Sequence, residues 1–174
     1  MSDMATIVIV MPTYNEASCI GEMIDTLMGK TFPGVQADMH LLIVDDTSPD
    51  GTGQIVRERM GLCPHLHLPT GKKEGLGWAY VRGLSHAVRE LHADAVIEMD
   101  ADFQHDPVYI PERVRRLQEG FDYVIGSRYT RGGGVPSAWP WHRKLISGLG
   151  NRVARSVLEM PDINNLTTGF RLRG

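Results

Sequence analysis

Asp100-Ala-Asp102-Phe-Gln104 places three oxygen-bearing side chains within five residues. In an extended segment alternate side chains point the same way, so Asp100, Asp102 and Gln104 are expected to converge on one point. Mg2+ and Mn2+ are hard cations that prefer carboxylate and carbonyl oxygens, and Mg2+ is usually held by one or two carboxylates with phosphates completing its shell. A diphosphate leaving group calls for such an ion, because negative charge builds on it as its bond breaks. The competing reading of the same residues is an acidic loop that caps the next helix. Placement directly after an apolar run favours the metal.

Other features fall away on inspection. Asp46 to Gly51 resembles the start of a calcium-binding loop, but the glutamate needed at its twelfth position would be Arg57. Gly71-Lys-Lys73 lacks the glycine spacing and the Ser/Thr of a phosphate-binding P-loop. Gly75-Leu-Gly77 is too short for a dinucleotide fingerprint, although a helix N-terminus there could receive a phosphate. No nucleophile–base triad emerges. His105 alone among seven histidines adjoins the acidic cluster, where a solvent-exposed or structural role is expected. Ser48 and Ser127 carry no sign of activation.

The elements that must position these residues can be read from hydrophobic period. Thr6–Met11 is an apolar, β-branched run expected to form a buried parallel strand, ended by Pro12 and followed by a helix to about Gly29. Leu41–Val44 predicts a second buried strand ending at Asp45-Asp46, with a Ser48-Pro-Asp-Gly51 turn and a short helix over 52–60. A short strand over 65–68, a glycine-bearing loop over 71–77 and a helix to about Leu91 follow. Strands over 95–99 and 123–125 flank a helix over 110–118, and apolar positions step helically from Trp141 to Leu158. Alternation of this kind implies an α/β fold with a mostly parallel sheet and helices on both faces. Ligands in such sheets collect beyond the carboxyl ends of the strands. Tyr14-Asn-Glu16, Asp45-Asp46 and Asp100 with Asp102 all sit there, so they are expected to form one site.

The 174 residues suit one domain, and 42% hydrophobic with 22% charged residues is the balance of a globular chain. The net charge of −3 gives no reason to expect nucleic-acid binding. No apolar run is long enough for a membrane span and no signal peptide opens the chain, so a protein that does not itself cross a membrane is expected. Cys19 and Cys63 show neither metal-ligand nor disulfide spacing and are expected to be reduced cytosolic thiols. Charge is uneven. Residues 124–158 contain no Asp or Glu but hold Arg128, Arg131, Arg143, Lys144, Arg152 and Arg155, a candidate anion site or membrane-facing patch.

Six segments occur in an order that carries a resemblance: Pro12-Thr-Tyr-Asn-Glu16, Asp45-Asp-Thr-Ser-Pro-Asp-Gly-Thr52, Gly75-Leu-Gly-Trp-Ala-Tyr80, Met99-Asp-Ala-Asp-Phe-Gln-His-Asp-Pro107, Gly126-Ser-Arg-Tyr129 and Thr168-Gly-Phe-Arg171. Together they resemble the dolichyl-phosphate (polyprenyl-phosphate) mannose synthases, inverting family 2 glycosyltransferases with the Rossmann-like GT-A fold. The resemblance implies that Pro12, Tyr14, Glu16, Val44, Asp45 and Asp46 hold the nucleotide, that Ala101 contacts the donor, and that Asp100, Asp102 and Gln104 hold Mg2+ or Mn2+. It further implies that Arg128, Arg143 and Ser147 grip the acceptor phosphate, with Asp102, Arg128 and Arg143 the catalytic residues.

The expected reaction is therefore transfer of mannose from GDP-mannose to dolichyl or polyprenyl monophosphate, at the cytoplasmic face of a membrane with peripheral contact. A lipid monophosphate is already anionic, which accounts for the lack of a general base. Residues 132–149, with Trp139, Trp141 and basic neighbours, are the expected membrane contact. Residues 1–174 read as one catalytic domain without the C-terminal segment that the family carries. A UDP-sugar donor, a different acceptor, or a nucleotide-sugar-binding module without catalysis remain as alternatives.

Overall fold

A computed structural model describes residues 4–69, 71–127, 140–157 and 171–173. Residues 1–124 with 170–174 form one compact unit and residues 125–169 a second. The sheet comprises strands β1 (Thr6–Thr13), β2 (Asp38–Asp45), β3 (Leu66–His67), β4 (Ala95–Glu98), β5 (Tyr123–Ile125) and β6 (Arg171–Arg173), all but the last residue of β5 belonging to the first unit. Their spatial order is β3-β2-β1-β4-β6-β5. β1 runs parallel to both β2 and β4, and β2 parallel to β3. β6 is antiparallel to β4, with Leu172 opposite Ile97.

Alternation along the central strands divides the core in two. Ile7, Ile9, Met11, Leu41, Ile43 and Ile97 face one side, where helices α1 (Ile20–Thr26), α2 (Thr52–Met60) and α4 (Ile110–Gln118) contribute Ile20, Ile24, Val56 and Val114. Val8, Val10, Leu42, Val44 and Val96 face the other, covered by helix α3 (Leu76–Arg89) through Ala79 and Ala87. Burial on both faces is why these strands read as unbroken apolar runs. The α/β fold with helices on both faces of a mostly parallel sheet is therefore as expected.

Local differences have physical causes. The first helix does not continue regularly to Gly29: a π-helical turn over Leu27–Thr31 and a 3-10 turn over Phe32–Gly34 follow α1, where Pro33 stops the helix. β2 begins at Asp38 rather than Leu41, because β1 supplies a pairing partner for each added residue. β6 was not expected from its sequence at all. Helix α5 (Trp141–Val157) belongs to the second unit and exposes Trp141, Ile146, Leu149, Val153 and Val157.

Candidate active site

Three loops leave the carboxyl ends of β1, β2 and β4, and each contains a non-glycine residue in the left-handed region: Asn15 (φ 61°), Thr47 (φ 57°) and Phe103 (φ 59°). Only one other such residue, His92, occurs among the described residues. Such backbone is uncommon and persists where surrounding contacts impose it, typically at functional sites. Here those contacts are visible.

The β2 loop is a scaffold for the β1 loop. Asp50 accepts hydrogen bonds from the Ala17 amide (2.9 Å) and from both the amide and the hydroxyl of Thr52 (3.0 and 2.6 Å). Thr52 Oγ1 in turn accepts from the Glu16 amide (2.9 Å), and Ser48 Oγ from the Asn15 amide (3.0 Å). The Ser-Pro-Asp-Gly-Thr motif thus sets the path of Tyr14-Asn15-Glu16. These bonds, led by the one from Thr52, hold the Asp50 carboxyl below its ordinary range.

Adjacent aspartates have opposite fates. Asp45 turns into the loop, where its carboxylate accepts from Thr13 Oγ1 (3.2 Å), the Ser48 amide (3.0 Å) and Ser48 Oγ (2.5 Å). Asp46 faces the cleft and pairs with Arg82 of α3. Arg82 also binds Glu74 (3.1 Å) and the Lys72 carbonyl (3.2 Å), tying the glycine-bearing loop to the end of β2.

The cleft so formed has a volume of about 290 Å3 and is lined by Pro12, Tyr14, Glu16, Asp46, Lys73, Gly75, Leu76, Asp100, Ala101 and Asp102, with Thr13. It joins seven of the residues singled out from sequence. Asp45 and Val44 are not in its lining: Val44 is a fully buried core residue, so only its backbone is available to a ligand. Gln104 is exposed beside the cleft, and its amide donates to Asp102 Oδ1 (3.0 Å), closing the turn that presents both aspartates. Arg128 lies outside the described residues, as does the side chain of Arg143; Ser147 is on α5, half-buried.

Several contributors escaped sequence reasoning. Lys73 extends over the Tyr14 ring, its Nζ 3.5 Å from the centroid, a cation–π contact. The signal was its position two residues before Gly75, whose φ of +98° at the start of α3 suits glycine. The Tyr80 hydroxyl lies 3.5 Å from Asp100 Oδ1. Burial, then the Asp100 charge, pushes that phenol well above its ordinary range, so it remains a proton donor. His105 is structural and not exposed: only 5% accessible, its Nδ1 accepts from the Asp100 amide at 3.1 Å. With its ring fixed this way it is poorly placed to serve as a general base.

Cys19 lines the base of the same loop. Burial, followed by a hydrogen bond to the Glu16 carboxylate (Sγ–Oε2 3.2 Å), pushes its thiol up to about 11. The thiolate is the reactive form, so at pH 8 alkylation of Cys19 is expected to be at least about 100-fold slower than that of a free cysteine. Iodoacetamide labelling followed by peptide mass spectrometry would measure this; labelling of Cys19 at the free-thiol rate would contradict it.

The profile of glycosyl transferase family 2 matches residues 8–173. The chain belongs to that family. This family 2 chain is 35% identical over 163 residues to the dolichol-phosphate mannosyltransferase of Pyrococcus furiosus, covering 93% of the chain and 44% of that protein. It is 35% identical over 165 residues to the polyprenol monophosphomannose synthase of Mycolicibacterium smegmatis, covering 94% and 59% respectively. It therefore spans about half the length of these curated relatives. Among solved structures, mannosyl-3-phosphoglycerate synthase from Rubrobacter xylanophilus superposes with a TM-score of 0.65 over 98% of this family 2 chain and 53% of that protein, at 19% identity, a likeness of fold. The expected GT-A-type α/β architecture is thereby established.

Proposed function

We propose that the chain is a metal-dependent, inverting glycosyltransferase domain that moves mannose from GDP-mannose to a dolichyl or polyprenyl monophosphate. The observation that carries this reading is the convergence of Asp100 and Asp102 with Pro12, Tyr14, Glu16 and Asp46 in one cleft at the carboxyl edge of the sheet. The names of the relatives at 35% identity supply the sugar and the acceptor class.

In this reading Tyr14 and Pro12 face the base, and Glu16 and Asp46 the ribose. Two neighbouring carboxylates repel both each other and a diphosphate, and a hard-oxygen donor set of this kind fits Mg2+ or Mn2+ held by Asp100, Asp102 and Gln104. When bound, the ion stabilises the negative charge that develops on the departing nucleotide. Tyr80 and the Gln104 amide orient the two carboxylates, and Lys73 adds a cation at the cleft wall. Arg128, Arg143 and Ser147 are assigned to the acceptor phosphate, for which a guanidinium is well shaped. The acceptor brings its own negative charge, so positioning replaces proton abstraction.

The acceptor is a membrane lipid, and the exposed apolar positions of α5 suit peripheral contact with the cytoplasmic face. No helix among the described residues is long and apolar enough to cross a membrane. The test is incubation of the chain with GDP-mannose, Mn2+ and a short polyprenyl phosphate. The expected product is the mannosyl phospholipid with inverted anomeric configuration. Binding of UDP in place of GDP would overturn the donor assignment, and GDP binding without transfer would identify a binding module.

A further inference from the structure

A second group of ligating side chains lies at the far end of β2. Asp38 and His40, two residues apart on one strand, project from the same face of the sheet. His65, in the turn leading into β3, is brought beside them by the hydrogen bond from the Leu41 amide to its carbonyl (2.9 Å). Asp38 and Asp45 stand at opposite ends of β2, seven residue steps apart, which places this group about 23 Å from the end of the strand that carries the nucleotide cleft.

The three side chains are close enough to share one ion. His40 Nε2 is 3.2 Å from Asp38 Oδ2, and His65 Nδ1 is 3.5 Å from Asp38 Oδ1. Ligand atoms of all three residues lie within 4.8 Å of one another. Ligands 2.0–2.1 Å from a tetrahedral centre are about 3.4 Å apart, a spacing that small rotations of these side chains reach from the present contacts, which use the two different oxygens of Asp38. The other nitrogen of His40, Nδ1, is 2.9 Å from Nε2 of His67 on β3. Metal-bound imidazoles hydrogen-bond through their second nitrogen to a partner that fixes tautomer and ring orientation, and His67 is the group within reach of that nitrogen of His40.

We propose that Asp38, His40 and His65 form a site for a borderline divalent cation of the Zn2+, Co2+ or Ni2+ class, with His67 as the partner that orients His40. Two imidazoles and one carboxylate select such ions over Mg2+ and Mn2+, which favour all-oxygen shells. Three protein ligands leave the fourth position to water. The His40 and His65 rings are stacked, 4.5 Å apart and 8° from parallel, so their in-plane lone pairs do not yet meet. Coordination turns the His65 ring, which is half-exposed and otherwise held by the Met39 carbonyl at 3.2 Å. The bound ion joins β2 to the two-residue edge strand β3, so its consequence is stability of that edge.

The test is calorimetric titration of the full chain with Zn2+ alone, in an Asp102→Ala background that removes a cleft carboxylate. One Zn2+ site is expected to remain in that background and to raise Tm by about 5–10 °C at a hundredfold excess over Kd. His65→Ala is expected to weaken Zn2+ binding more than 100-fold, and His67→Ala about 10–100-fold through loss of the orienting contact. His65 is half-exposed and its removal leaves the core untouched, so this variant decides the matter even if His40→Ala fails to fold. Unchanged Zn2+ affinity in His65→Ala, or absence of Zn2+ binding in the Asp102→Ala chain, would overturn the site. Neither result bears on GDP binding, which is measured separately with Mn2+.

Discussion

Asp102→Ala is expected to weaken Mn2+-dependent GDP binding at least about 100-fold, or about 2.8 kcal/mol, while leaving the fold intact. Asp102 is exposed on the cleft, where its carboxylate accepts a hydrogen bond from the Gln104 amide at 3.0 Å. Loss of that contact costs at most about 1 kcal/mol of stability. Loss of a carboxylate from a site that offers two is far more serious, because the remaining Asp100 cannot balance a divalent ion against a diphosphate. Asp102→Asn separates the contributions: it keeps an oxygen for the turn but removes the charge, and is expected to lose metal-dependent binding almost as fully. Calorimetry with GDP, with and without Mn2+, reads both variants. Retention of the full Mn2+ dependence in either would rule out Asp102 as a metal ligand and undo the assignment of the cleft.

Gly83→Val is expected to destabilise the chain by about 2–3 kcal/mol, lowering Tm by about 4–12 °C. A Cβ at Gly83 would sit 2.4 Å from Val10 Cγ1 and 2.9 Å from Val44 Cγ2, distances that side chains do not tolerate. Both valines belong to central strands whose ends carry the site, so the helix cannot retreat without shifting Met11-Pro12 and Asp45-Asp46. Val forms helix slightly better than Gly, which recovers only a few tenths of a kcal/mol. Gly29→Ala is the control. Nothing lies within 4 Å of a Cβ there, and the substitution is expected to be neutral or to stabilise by up to about 1 kcal/mol. A thermal melt compares the two. Equal Tm values for Gly83→Val and the parent chain would show that α3 does not pack on β1 and β2 as described.

The aspartates of the cleft were legible because their context is local. Asp100 follows Ala95–Glu98, a strand buried on both faces, and Asp46 follows β2 in the same way. A run of apolar residues that ends in acidic ones identifies the strand end wherever the strand sits in the sheet. β6 was not legible for the converse reason. Arg171-Leu-Arg173 has one apolar residue, and its strand character comes from the ladder to β4, the burial of Leu172 and the pairing of Arg173 with Glu98.

By itself the sequence determined the alternation of strands and helices, the edge of the sheet that carries the chemistry, and the acidic residues gathered there. These follow from hydrophobic period and from turn residues, which act over a few positions along the chain. Only the tertiary structure decided which of Asp45 and Asp46 faces the cleft, since that depends on Thr13 and Ser48 capturing one carboxylate and Arg82 the other. It also decided that Lys73 covers Tyr14, that His105 is buried behind Asp100, and that His40, His65 and His67 meet across two strands. Each of these is a contact between residues brought together by strand register and helix packing, and side-chain direction at such contacts has no signature in local composition.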